Sequence, residues 1–350
     1  MKIKVDNFKK VLIMEHYNVQ LADIGEKEFD WDENKVLVKT HFSTISAGTE
    51  YAHVVGDKNV EAWRSVDYYV DTLPRGIGYA CSGIVEKVGE NVCDLKVGDR
   101  VVPLFSGHAS HHVCDAQNVI KIPYDDISLE EVSGMYISTF SLSGARKVRI
   151  EAGESAAVMG CGILGQYAVQ FCKVMGATPV IAVDPVKEKR EKALALGADY
   201  AVDPFEEGFV EKMMELTDGR GVNAAIEVTG LGQGLDMILD CMARHGRVSL
   251  LGCTRNSDFT IDYYRKVHYP GVELIGAHTG TRPENESRPG FWCYKDECDA
   301  ILRLIHYKKI DFKAMISEIN PATDAHKVYD RLANDYKNFP GGMLLDWRNI

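Results

Sequence analysis

The residues with the plainest chemical use are Val158-Met-Gly160-Cys-Gly162-Ile163-Leu164-Gly165, at a junction of strand character and helix character. Gly160 permits a tight turn, Gly162 lets backbone approach a pyrophosphate, and Gly165 allows the helix to pack closely on the strand. Amide donors at the helix start, around Ile163 and Leu164, suit the negative charge of phosphates. Asp184 ends the next strand, where a carboxylate bonds the ribose hydroxyls of NAD and repels the extra phosphate of NADP. The pattern predicts a dinucleotide site for NAD in preference to NADP, with Lys189 and Thr229 completing the candidate contacts. A glycine-rich turn with no ligand is the alternative, and Lys187, Lys189 and Arg190 also read as a solvated helix face.

The elements that must position this motif change character along the chain. Residues 3 to 105 alternate short β-type runs, such as Val36-Leu-Val-Lys39 and Asp99-Arg-Val-Val102, with Gly, Pro and Asp punctuation. This predicts a mostly antiparallel β domain with little helix. An irregular stretch from 56 to 75 carries Trp63, Tyr68 and Tyr69 and reads as an excursion bordering a pocket. From about residue 128 buried uncharged runs alternate with helical ones (Ser155-Ala-Ala-Val-Met159, Pro179-Val-Ile-Ala-Val183, Ala224-Ala-Ile-Glu-Val228, Arg247-Val-Ser-Leu-Leu251), which predicts a parallel sheet with helices on both faces. The fold class is therefore α/β, with expected divisions at 1–133, 134–281 and 282–350. In the last part a late strand, Gly342-Met-Leu-Leu-Asp346, returns to the first domain.

Composition narrows the class. The 350 residues are 45% hydrophobic and 26% charged, ordinary values for a chain of about two folded domains. A formal charge of -11 repels the phosphates of nucleic acid and anionic lipid, so neither is expected as a partner. Apolar runs fall short of the ~20 residues needed to cross a bilayer, and the N-terminus lacks a secretory apolar core, so a cytoplasmic protein is expected. The nine cysteines are scattered without a Cys-x-x-Cys pair and suit buried reduced thiols. His108, His111 and His112 invite a metal reading. On a strand, however, His108 and His112 share one face while His111 points to the other, so the three do not converge on one ion.

Several ordered motifs resemble the medium-chain dehydrogenase/reductase superfamily, which includes zinc alcohol and polyol dehydrogenases. Ala47-Gly-Thr-Glu50 resembles its catalytic Cys-Gly-Thr-Asp segment, Gly78-Tyr-Ala-Cys-Ser-Gly83 its Gly-His-Glu-x-x-Gly, and Val97-Gly-Asp-Arg-Val101 its Val-Gly-Asp-Arg-Val. Glu227-Val-Thr-Gly230 and Gly246-Arg-Val-Ser-Leu-Leu-Gly252 match the Rossmann half, so the likeness covers almost the whole chain. The resemblance implies a GroES-like β domain, a doubly wound Rossmann domain, and a C-terminal segment returning to the first. The family's zinc-ligand positions fall on Ala47, Tyr79 and approximately Met135, and the cysteines of its structural zinc lobe are absent after Val102. A methyl group and a thioether are not ligands zinc prefers, and a phenol is a poor one at neutral pH. The expectation is no metal, in a zinc-independent member like the branch of bacteriochlorophyllide-type and bidomain sugar-pathway dehydrogenases.

By the same resemblance Tyr79 takes the place of a metal ligand, and either donates a proton to a carbonyl oxygen or fills the vacated space. Thr49 falls on the family's proton-relay hydroxyl. Glu50 either orients a substrate hydroxyl or acts as base, or is a structural ion-pair partner, and His111 is a relay or substrate contact. The implied activity moves hydride between NAD(H) and a secondary alcohol or ketone, on a small-molecule substrate of sugar, polyol or glycoside type. Quinone and enoyl reduction with NAD(P)H, and a dinucleotide sensor without catalysis, are the alternatives. Relatives pair through sheet edges, so a homodimer or homotetramer is expected, with Val272-Glu-Leu-Ile-Gly276 as the edge.

Overall fold

The computed structural model describes residues 1–60 and 72–350, so the stretch with Trp63, Tyr68 and Tyr69 lies outside the described residues. The strands are β1 (Lys2–Glu15), β2 (Asn18–Asp30), β3 (Lys35–Thr44), β4 (Arg75–Gly76), β5 (Cys81–Val88), β6 (Arg100–Pro103), β7 (His111–Asp115) and β8 (Val119–Lys121). They continue with β9 (Ala156–Met159), β10 (Val180–Val183), β11 (Tyr200–Val202), β12 (Val222–Glu227), β13 (Met242–Leu250), β14 (Glu273–Gly276), β15 (Glu318–Pro321) and β16 (Met343–Asp346). The helices that matter here are α1 (Ala47–Val55), α2 (Met135–Lys147), α3 (Ile163–Val174), α4 (Tyr294–His306) and α5 (Ala325–Asn334).

The chain divides into two compact units, one of Met1–Ile137, Cys298–Tyr307 and Phe312–Ile350, the other of Ser138–Glu297 and Lys308–Asp311. The return to the first unit therefore begins at 298, not at the expected 282. Residues 282–297 stay in the second unit because the Arg282 guanidinium meets the Glu297 carboxylate at 3.0 Å, both buried, and donates to Thr139.

In the first unit β1 and β2 form a long antiparallel hairpin extended by β4, and a second sheet runs β15-β16-β3-β5-β6-β8 with β7 also on β3. Strand β1 buries Ile3 and Val5, then Phe8, Val11 and Ile13; its alternation slips at Asn7, where the register with β2 breaks. The late strand β16 pairs antiparallel with β3, so the C-terminus completes the first unit's sheet. One core joins Val11, Ile13 and Ile45 to Tyr329, Leu332, Leu345 and Trp347 from the returning segment.

In the second unit the parallel sheet runs β11-β10-β9-β12-β13-β14. All residues of β9 and β10 are buried, which is why their sequences read as uncharged runs without alternation. Chain order reverses between β9 and β12, the switch point where open α/β sheets bind ligands outside the strands' carboxyl ends. Strand β14 is an edge, as expected. The nine cysteines are all free thiols.

Candidate active site

The glycine loop leaves β9 and enters α3 at the switch point. Gly160 has φ +98°, open to glycine at little cost, and an added Cβ there would touch Thr229 Cγ2 at 3.0 Å, so the loop lies against the end of β12. At Gly165 a Cβ would lie 1.9 Å from the Gly160 carbonyl oxygen, so helix and loop pack only with glycine. Gly162 is different: a Cβ would meet nothing within 4 Å. Nothing in the protein itself demands glycine there, while a ligand laid on the loop does. Gly162 also offers no side chain to cap α3, which leaves the first-turn amides of Ile163 and Leu164 to face an anion.

Asp184 follows β10 and is buried, its Oδ2 accepting the Cys161 N–H at 2.7 Å and its Oδ1 the Val186 N–H at 2.8 Å. A carboxylate has about four lone-pair sites, so acceptor capacity remains for hydroxyl donors. The Lys189 carbonyl accepts from Gln166 Nε2 at 2.8 Å, which ties its helix to α3. Thr229 is held by Glu227, whose Oε1 accepts the Thr229 N–H at 2.8 Å and whose Oε2 accepts the Gly230 N–H at 3.2 Å. Burial pushes the Glu227 carboxyl pKa up, and these donors only partly offset it. The loop, Asp184 and the turn after β12 fit a dinucleotide. Asp184→Ala should weaken NADH binding by about 1–3 kcal/mol, the scale of losing a hydrogen bond to a charged group. Fluorescence titration checks this, and unchanged affinity would remove Asp184 from the site.

In the first unit α1 follows β3 directly and carries the Ala47-Gly-Thr-Glu50 segment on its first turn. Glu50 Oε1 accepts the Ser46 N–H at 2.7 Å, Oε2 lies 3.1 Å from His108 Nε2, and the Tyr329 hydroxyl donates to the same oxygen. His108 Nδ1 meets Ser43 Oγ at 2.7 Å, and Trp347 Nε1 donates to that oxygen at 2.8 Å. Glu50 is 1% exposed and His108 0%. Burial pushes the Glu50 carboxyl up, but the imidazole, the tyrosine and the Ser46 amide outweigh it and hold it below the usual carboxylate range. With both oxygens engaged inward, Glu50 matches the ion-pair alternative and not the base.

His108 was expected on a strand face with His112; instead β7 begins at His111, and a bend turns His108 inward to Glu50. Gly78, at φ +85°, passes against this ring, and a Cβ there would lie 2.3 Å from His108 Cδ2. That close passage sets up Tyr79, which is half-buried and whose hydroxyl bonds Ser46 Oγ. The Tyr79 ring meets Tyr136 edge-on, centroids 6.0 Å apart, and Phe105 tilts against Tyr136 at 4.7 Å. Thr49 is half-buried in the first turn of α1. His111 is set apart: its Nδ1 meets Ser110 Oγ at 3.1 Å, its Nε2 lies 3.3 Å from the Glu86 carboxylate, and it lines a cavity of about 700 Å³. Ser46, Tyr329 and the Glu50–His108 pairing were not singled out by sequence.

The zinc positions hold a methyl at Ala47, a phenol at Tyr79 and the buried thioether of Met135. Among the described residues no group of three or more His, Cys, Asp or Glu gathers. This donor set, without thiolate or imidazole, does not fit tetrahedral zinc.

Comparison with known proteins agrees with the fold. A family described as "Alcohol dehydrogenase GroES-like domain" matches residues 32–170, and one described as "Zinc-binding dehydrogenase" matches 164–289. L-threonine 3-dehydrogenase of Thermococcus kodakarensis is 30% identical over 275 residues, 69% of this chain and 74% of that protein. (R,R)-butanediol dehydrogenase of Bacillus subtilis is 31% identical over 227 residues, 57% of this chain and 65% of that protein. Galactitol-1-phosphate dehydrogenase of Escherichia coli superposes with a TM-score of 0.80 at 21% identity, covering 97% and 99% of the two chains. The chain belongs to the medium-chain dehydrogenase/reductase superfamily, in its zinc-type alcohol dehydrogenase-like family, and is an NAD(P)-dependent alcohol oxidoreductase. Among the described residues no helix is long and apolar enough to cross a membrane.

Proposed function

We propose that the protein oxidises a secondary alcohol, or reduces the ketone, of a sugar, polyol or glycoside-like substrate, without a catalytic metal and with NAD(H). The observation that carries this reading is the Tyr79 phenol hydrogen-bonded to Ser46 at a position the family gives to a metal ligand. A bound nicotinamide dinucleotide supplies the hydride acceptor or donor. The chain's own residues do the rest. The glycine loop and the first turn of α3 hold the pyrophosphate, and Asp184 holds the ribose hydroxyls. Tyr79 gives its hydroxyl proton to the carbonyl oxygen during reduction, and the Ser46 hydroxyl, turned to the phenolate oxygen, stabilises the charge left there. In the oxidising direction the same phenolate takes the alcohol proton. Glu50 fixes the Ser46 backbone and so the direction of this pair, making it a positioning residue. The expected assembly is a homodimer or homotetramer through β14.

Chelation separates this reading from metal-assisted chemistry. After exhaustive treatment with a strong chelator, NAD reduction by a responsive polyol should stay within about twofold of the untreated rate, since nothing in the mechanism requires a Lewis acid. A loss restored by added zinc would overturn the metal-free reading. Activity confined to enones and quinones with NADPH would instead place the protein among double-bond reductases.

A further inference from the structure

The candidate cofactor residues share one end of the parallel sheet. Val183, Met159, Glu227, Leu250 and Gly276 lie in a single register row across β10, β9, β12, β13 and β14. Asp184, the glycine loop, Thr229 and the turn after Gly276 therefore all leave the carboxyl ends of their strands together. With the pyrophosphate on the loop after β9 and one ribose at Asp184 after β10, the nicotinamide half runs the opposite way, over β12 and β13 toward β14. That strand lies three places from β9, about 14 Å at the usual strand spacing.

The turn after β14 is clamped from inside the second unit. Lys147 of α2 donates to the Gly276 carbonyl at 3.0 Å and to Thr281 Oγ1, and that hydroxyl donates to the His278 carbonyl at 2.7 Å. Arg282, the next residue, donates through Nη1 to Thr139 Oγ1 at 2.9 Å and meets Glu297 Oε2 at 3.0 Å. Arg146 Nε stands 3.9 Å from Glu297 Oε1. Aromatic faces shut the cluster off, Trp292 at 3.7 Å from the Arg146 guanidinium and Tyr294 at 4.4 Å from that of Arg282. Glu297 is 0% exposed, yet neither of its oxygens receives an aligned hydrogen bond. Charge alone holds this carboxylate, and the charge is conditional. The groups acting on it are Arg282 from the turn and Arg146 and Lys147 from α2; on its own helix Asp296 is taken up by Ser287. Burial outweighs the three cations and pushes the Glu297 carboxyl up to about 7. A proton there leaves two arginines buried beside a neutral group, which is costly in a site shut off from water.

We propose that Glu297 is a positioning residue for the nicotinamide half of the cofactor: as a carboxylate it pins Arg282 and with it the turn after β14, and as a neutral carboxyl it releases them. Cofactor affinity then depends on pH in a way that the adenosine half does not share. The inference rests on the dinucleotide placement proposed above, along the glycine loop and Asp184.

Calorimetric titration of the full chain with NADH, and with ADP-ribose, which lacks the nicotinamide, tests this between pH 6 and pH 8.5. The Kd of NADH should rise at least fivefold as pH falls through about 7, while that of ADP-ribose stays within twofold. Glu297→Gln, a neutral side chain of the same shape, should bind NADH at pH 8.5 about as weakly as wild type does at pH 6, with no step between. His278→Asn, which removes the turn's own titratable side chain, should keep the step, and it decides the attribution if the glutamine variant does not fold. An NADH step below twofold, a matching step for ADP-ribose, a step that survives in Glu297→Gln, or its loss in His278→Asn overturns the assignment. Equal binding of ADP-ribose by wild type and Asp184→Ala would remove the placement at Asp184, and the NADH series would still decide Glu297.

Discussion

Replacing Tyr79 by phenylalanine should lower kcat for both alcohol oxidation and ketone reduction by about 100-fold, with NADH affinity unchanged. General acid–base catalysis by a placed side chain contributes about 10²–10⁴-fold, so its loss falls at the lower edge of that range where solvent partly substitutes. At about 1.36 kcal/mol per tenfold the expected loss is near 2.7 kcal/mol of transition-state stabilisation. Phe keeps the ring that meets Tyr136 edge-on, so packing changes little and the effect isolates the hydroxyl. Ser46→Ala should reproduce a smaller part of the loss, because it removes the partner of the phenol and leaves the phenol itself. Both changes should move the pH profile of kcat while sparing Kd for NADH, whose proposed contacts, the glycine loop and Asp184, belong to the other unit. A near wild-type kcat in Tyr79→Phe would mean the ring only fills space and would end its assignment as proton donor.

The two halves of the molecule were legible to different degrees. The parallel sheet could be read because strands buried on both faces, such as Val180–Val183, give short uncharged runs that helices separate. The loop from Gly160 to Gly165 could be read because its function is local: the turn, the close approach and the helix start lie within six residues. Helix α1 was not foreseen. It is nine residues long and holds Gly48, Thr49 and two valines, so its own propensity is poor. Burial of Val54 in the first unit's core, with Ala47 and Tyr51 packed against it, holds the helix instead, and that contact exists only once the chain is folded. The Glu50 network has the same character. His108 is 58 residues away and Tyr329 is 279 away, and no spacing rule relates them. The cavity that His111 lines was illegible for the same reason, since the residues of β1, β4 and β7 that wall it come together only through strand pairing. The segment boundary lies at 298 and not at the expected 282 because a buried arginine–glutamate pair, Arg282 with Glu297, keeps the intervening residues with the second unit.

Glu50→Ala should destabilise the first unit by about 3–5 kcal/mol, because three buried groups lose their acceptor and each unsatisfied buried polar group costs about 1–3 kcal/mol. His108 would face a cavity with its Nε2 unpaired, the Tyr329 hydroxyl would lose its acceptor, and the Ser46 amide would lose the oxygen 2.7 Å away. Glu50→Gln keeps the shape and one acceptor oxygen, so it should cost less, and the difference between wild type and Glu50→Gln reports the charge itself. The pH dependence has a defined sign. The folded-state pKa of Glu50 lies below its unfolded value of about 4.3, so the pair's contribution is fully present above that value. It is lost as pH falls through the folded pKa, where the carboxylate must be protonated. Wild-type denaturant midpoints should therefore decline below about pH 4.3, and Glu50→Gln should lack that share of the decline. Urea unfolding followed by tryptophan fluorescence, to which Trp347 contributes from the same network through Ser43, checks both points. An Ala variant within about 1 kcal/mol of wild type would show that the pair does not hold this part of the first unit. Ser46 and Tyr79 would then need another anchor.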